Sequence, residues 1–135
     1  MMSFVLDASA AMILLFQEEN PAAAGRLMTL LASESAIAPQ VWHFEVANAL
    51  RVAEMRQRAT PAETAKSIAM LHHLPLEIES EAPAIALLLA LAREYGLSAY
   101  DAAYLELALR KSCGIATFDK KLAAASVRAG LSLIH

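Results

Sequence analysis

Short apolar bursts alternate with longer stretches of helical periodicity along this chain. "FVLD" (Phe4 to Asp7) is a brief apolar run that suits a buried strand, and "ASAAMILLF" after it reads as helix. A second helix begins near Pro21, with proline in the first turn, and ends near Leu31. "AIAP" (Ala36 to Pro39) predicts a short strand. Helical spacing returns from Val41 to Arg56, and again after Thr60, where Thr60, Pro61 and Glu63 form a start signal. "LPLEIE" is a strand. "APAIALLLALAREYG" and "SAYDAAYLELALRKSCG" are helices, followed by the strand "IATFD", the helix "KKLAAASVRAG" and a last strand, "LSLI". Gly96, Gly114 and Gly130 sit where helices are expected to stop, where a left-handed residue is favoured.

Strands that are short and apolar, each followed by helix, predict an α/β fold: a three-layer α/β/α sandwich around a mostly parallel sheet of roughly five strands. The 135 residues make a single domain over 1–135. In such folds ligands bind beyond the carboxyl ends of the strands.

Composition narrows the possibilities. Hydrophobic residues make up 58% of the chain and mean hydropathy is +0.44, so some apolar surface is expected to be covered by a partner. The longest apolar run, Ala82 to Ala92, is far short of the roughly 20 residues that span a bilayer, so no membrane association is expected. The N-terminal stretch lacks a positive segment and carries Asp7 within its apolar part, which argues against a secretory leader. Cys113 is the only cysteine, so no internal disulfide forms and a reducing, cytoplasmic setting is expected. The net charge of −3 excludes nucleic-acid binding by bulk positive charge. Nucleic acid remains accessible if cations offset local acids. No glycine-rich phosphate loop is present.

The acids carry the candidate chemistry. Asp7, Asp101 and Asp119 each have an ordinary explanation as acids at helix starts, where caps and the helix dipole favour them. Glu45 does not. Its neighbours at helical spacing are Val41, Trp42, Asn48 and Ala49, and no lysine or arginine lies within four residues. A carboxylate buried there must be paired, protonated or bound to metal. Asp7 and Asp119 end predicted strands and so share one edge of a parallel sheet, while Asp101 and Glu45 lie on helices able to reach it. Four converging carboxylates repel one another unless cations neutralise them. Oxygen-only ligands select hard ions such as Mg²⁺ or Mn²⁺, which activate water and stabilise charge on a phosphate. Hydrolysis of phosphate esters or phosphodiesters follows.

"FVLDASA", "PQVWHFEVANAL", "GLSAYDAAYLELA" and "IATFDKKLAAA" together resemble the motifs of PIN-domain ribonucleases, in particular the VapC toxins of toxin–antitoxin pairs. They occur in family order over most of the chain. The resemblance implies a Mg²⁺- or Mn²⁺-dependent endoribonuclease, usually a homodimer restrained by a VapB-like antitoxin. It also implies that Asp7, Glu45, Asp101 and Asp119 are the four active-site acids, with Ser9 and Thr117 as supporting hydroxyls. Asp7 and Asp101 are the expected direct metal ligands. Lys120 and Lys121, directly after Asp119, are the expected contacts for RNA phosphates.

Two rival readings exist. A haloacid-dehalogenase-type phosphatase also places an aspartate after its first strand, but needs a second one where Ser9 stands. A non-catalytic partner-binding domain would use the acids only as caps. His43, His72, His73 and His135 form no metal pattern. Tyr100 and Tyr104, four apart on one helix, are expected to share a packed face. The helices "PAAAGRLMTLLA" and "ETAKSIAMLHHL" offer a groove for an amphipathic partner helix.

Overall fold

The computed structural model describes residues 3–135; Met1 and Met2, which open the stretch read against a leader, lie outside them. Five parallel strands form one sheet: β1 (Ser3–Leu6), β2 (Ser35–Ala38), β3 (Leu76–Ile78), β4 (Gly114–Ala116) and β5 (Leu133–Ile134). Their order is β3-β2-β1-β4-β5. Seven α-helices fill the connections among the described residues: α1 (Ala8–Leu15), α2 (Pro21–Ser33), α3 (Val41–Met55), α4 (Pro61–Leu71), α5 (Ile85–Tyr95), α6 (Ala99–Lys111) and α7 (Lys120–Arg128). The expected mostly parallel sheet is parallel throughout.

The chain leaves β1 towards β2 and β3, then returns across the sheet to β4 and β5. Right-handed crossovers put helices of opposite travel on opposite faces. α1 to α4 therefore cover one face and α5 to α7 the other, and the contacts of α1 with α2 and α3, and of α6 with α5 and α7, follow that division. The core lies against β1 and β4, where Phe4, Val5, Leu6, Ile115 and Ala116 are almost wholly buried. Leu14, Leu27, Tyr104, Leu105 and Leu122 close over them from the helices.

Helix starts follow the local chemistry that announced them. Thr60 and Glu63 form a reciprocal capping box on α4, and Asn20 caps α2 ahead of Pro21. One helix end differs from expectation. α6 closes not at Gly114 but at Ser112, which takes the left-handed conformation with φ 51°. Gly114 opens β4 instead, where a Cβ would stand 3.0 Å from the Ser132 carbonyl oxygen. Close approach of β4 and β5, not helix termination, demands glycine there. Gly96, with φ 65°, does close α5 as expected.

Glu106 of α6 is buried, and Arg110 one turn on grips it through Nε at 2.7 Å. Arg110 also reaches Glu79 after β3 at 3.1 Å, tying α6 to the end of that edge strand.

Candidate functional site

β1 and β4 are neighbours, and the chain departs from them in opposite directions. This is the topological switch point, where the loops beyond the strands part and leave a crevice. Register pairs Leu6 with Ala116, so the residues just past both strands, Asp7 and Thr117, come side by side.

Asp7 caps α1, as its position predicted, and does more. Its Oδ1 accepts from the Ala10 backbone N–H at 2.9 Å and from the Ser9 hydroxyl at 2.7 Å. Its Oδ2 accepts from the Thr117 hydroxyl at 2.5 Å. Ser9 Oγ in turn accepts from the Phe118 N–H at 2.8 Å, and Thr117 Oγ1 from the Asp119 N–H at 3.1 Å. Two hydroxyls thus pin Asp7 and join the loop after β1 to the loop after β4. Thr117 is fully buried. Burial pushes the Asp7 carboxyl up to about 6, against the opposing effect of these hydrogen bonds, with the Asp119 charge adding to the rise.

Asp119 caps α7, accepting from the Leu122 N–H at 2.8 Å, and is exposed. It is the common neighbour of the group, since its charge acts on Asp7, Glu45 and Asp101 alike. Asp101 lies in the first turn of α6, three residues after the Ser98 cap, whose Oγ accepts from its N–H. Its carboxyl is raised by burial and by Asp119, and lowered by Ser98 and by the Lys121 charge. Of the two lysines, Lys121 is therefore the one placed near an acid; both are exposed at the start of α7.

Glu45 faces this edge from the middle of α3, half-buried. Its Oε1 accepts a 2.6 Å hydrogen bond from the Tyr104 hydroxyl. Burial raises the Glu45 carboxyl, the bond to Tyr104 opposes that, and the Asp101 and Asp119 charges reinforce it. Burial and the neighbouring Glu45 push the Tyr104 hydroxyl far up, so it stays a donor.

Tyr104 is the residue that sequence reasoning missed. It stands three after Asp101, a spacing that puts both on one helix face. Tyr104 is packed in the core as expected, with its hydroxyl on Glu45, while Tyr100, one turn earlier, is 63% exposed.

The four acids are thus electrostatic neighbours around the switch point, with the Lys121 charge acting among them. Among the described residues, no three His, Cys, Asp or Glu side chains stand close enough to form a finished cage for one ion. All donors of the four acids are oxygens, which suit hard divalent ions.

The family profile described as PIN domain matches residues 4–127. Among solved structures, the chain is similar to the crystal structure of PAE2754 from Pyrobaculum aerophilum, with a TM-score of 0.72 and 21% identity, over 98% of this chain and 92% of that one. At that identity the likeness concerns the fold. No curated protein matches the chain.

Proposed function

Because the chain belongs to the PIN-domain family, a fold that typically serves metal-dependent nucleases, we propose that it is a Mg²⁺- or Mn²⁺-dependent endoribonuclease in which Asp7, Glu45, Asp101 and Asp119 hold the metal. The observation that carries this reading is the treatment of Asp7. A buried carboxylate at the switch point is held by two hydroxyls and faced by the charge of Asp119. Caps alone need no such company, which disfavours the non-catalytic reading.

Asp7 and Asp101 are the direct ligands in this proposal, with Glu45 and Asp119 binding directly or through water. A bound divalent ion supplies Lewis acidity towards the phosphodiester and water. Every other contribution comes from the chain. Ser9 and Thr117 fix the Asp7 carboxylate so that it loses no orientation on binding. Tyr104 holds Glu45 Oε1 and leaves Oε2 to take a proton from the attacking water. Burial raises the Glu45 carboxyl above its ordinary value, the direction that strengthens a proton acceptor. Lys121 faces the phosphate.

The reading extends to a cytoplasmic, single-domain toxin restrained by a VapB-like antitoxin. An apolar cleft of about 350 Å³ between α3, α4 and β3, lined by Trp42, Leu50, Ile68 and Leu76, supports docking of an amphipathic partner segment. Trp42 is buried there, and its indole N–H lacks a hydrogen-bond partner among the described residues. In this reading the antitoxin segment docks between α3 and α4.

The test is cleavage of single-stranded RNA in Mg²⁺ or Mn²⁺. Asp7→Asn and Asp101→Asn should fold and lose activity, and EDTA should abolish it in the parent. Tyr104→Phe, which frees Glu45, should cost about 10- to 100-fold, the range for residues that position a ligand. If both Asn variants folded and cut RNA like the parent, the metal-site reading would be wrong.

A further inference from the structure

We propose that the cleft beside Asp101 seats one unpaired base of an RNA strand, and that Tyr100 is the ring on which the base stacks. This rests on the RNA-cleaving reading above and adds a substrate contact to it.

Tyr100 precedes Asp101 in the first turn of α6, so its ring projects from the same turn as a proposed ligand. The ring is 63% exposed and lines a cleft of about 250 Å³ with Pro39, Gln40, Val41 and Ala103. The cleft and the acids share both of their walls. On α6, Tyr100 adjoins Asp101, and on α3, Val41 stands one turn before Glu45. A base in the cleft is therefore attached to a backbone that passes the acids.

Size and charge decide what the cleft takes. It is smaller than the roughly 300–1,000 Å³ of pockets that enclose a whole small molecule, and suits one planar ring system. The cation in its lining, Arg110, is already engaged by Glu106 and Glu79. With that charge spent, and with the Glu79 and Glu81 carboxylates also in the lining, a phosphate gains nothing here. An uncharged ring gains a π-face and an apolar wall. Stacking on an exposed aromatic needs no sequence-specific partner.

The test uses full-length protein and short single-stranded RNA carrying 5-iodouridine, with affinity read by fluorescence anisotropy and contact read by photocrosslinking and mass spectrometry. The parent should crosslink at Tyr100. Tyr100→Ala should lose that crosslink and bind about 10- to 100-fold more weakly, a span set by the value of one stacked base. Tyr100→Phe should retain affinity and Tyr100→Leu should not, because a ring and not mere apolar bulk is required. Tyr100→Ala binding this RNA as tightly as the parent overturns the proposal while parent cleavage leaves the nuclease reading intact. A parent that neither binds nor cleaves RNA overturns both. A Tyr100→Ala variant that changes sedimentation but not RNA affinity assigns the ring to a protein contact instead, and also overturns it.

Discussion

Asp7 carries two demands on one side chain: it caps a helix and is held ready at a crevice. The first demand was legible in the chain, since an acid between a strand and a helix reads as a cap. The second was legible only through company, because Asp119 and Asp101 read as caps too. Its burial has a measurable consequence. The carboxyl is pushed up to about 6 in the fold, against about 4 in the unfolded chain, so the folded protein binds this proton more tightly. The stability it contributes is complete below about pH 4 and is lost as pH rises through about 6. In EDTA, urea unfolding of the parent and of Asp7→Asn should diverge over that window, with the variant favoured by about 3 kcal/mol at neutral pH. Parallel profiles would show that burial does not strain the charge. Tyr104 marks the opposite case. A tyrosine among alanines and leucines looks like core, and only the meeting of α6 with α3 gives its hydroxyl a carboxylate to hold.

The elements were legible where local chemistry determines them. Pro21, the Thr60–Glu63 box and Gly96 marked helix ends that the structure retains. Two features were not: the 3-10 turn at Gln17–Glu19, and the stop of α6 at Ser112 rather than Gly114. Helix termination and tight strand pairing both select glycine, and a sequence cannot tell them apart. A pair of substitutions separates the two pressures. Gly25 lies within α2, and a Cβ added there would meet nothing within 4 Å, so Gly25→Ala should stabilise by up to about 1 kcal/mol through helix propensity. At Gly114 a Cβ meets the Ser132 carbonyl, which already accepts from the Ile115 N–H at 3.0 Å. Shifting it weakens that pairing, so Gly114→Ala should destabilise by about 1 kcal/mol or more. Thermal unfolding of both variants checks the signs, and an unchanged or raised Tm for Gly114→Ala would contradict the account of β4.

At the scale of the whole molecule, the high hydropathy finds its outlet on α5. Only Leu91 of that helix is buried, while Ile85 is 84% exposed and Leu87 and Leu89 about half so. No helix among the described residues is long and apolar enough to cross a membrane. The homodimer that the family resemblance implies would cover this face with a second copy. Ile85→Glu with Leu89→Glu, one turn apart, should then convert a dimer to a monomer in sedimentation; a parent that sediments as a monomer would remove the dimer from the reading. The amino-acid order by itself determined the alternation of strand and helix and the α/β class, because periodicity, caps and residue chemistry act over a few neighbours. The strand order, the switch point between β1 and β4, the hydroxyl bridge from Thr117 to Asp7 and the partnership of Tyr104 with Glu45 were decided only by the tertiary structure. These join residues 59 or more positions apart, and such meetings depend on how the sheet is crossed, which no local pattern encodes.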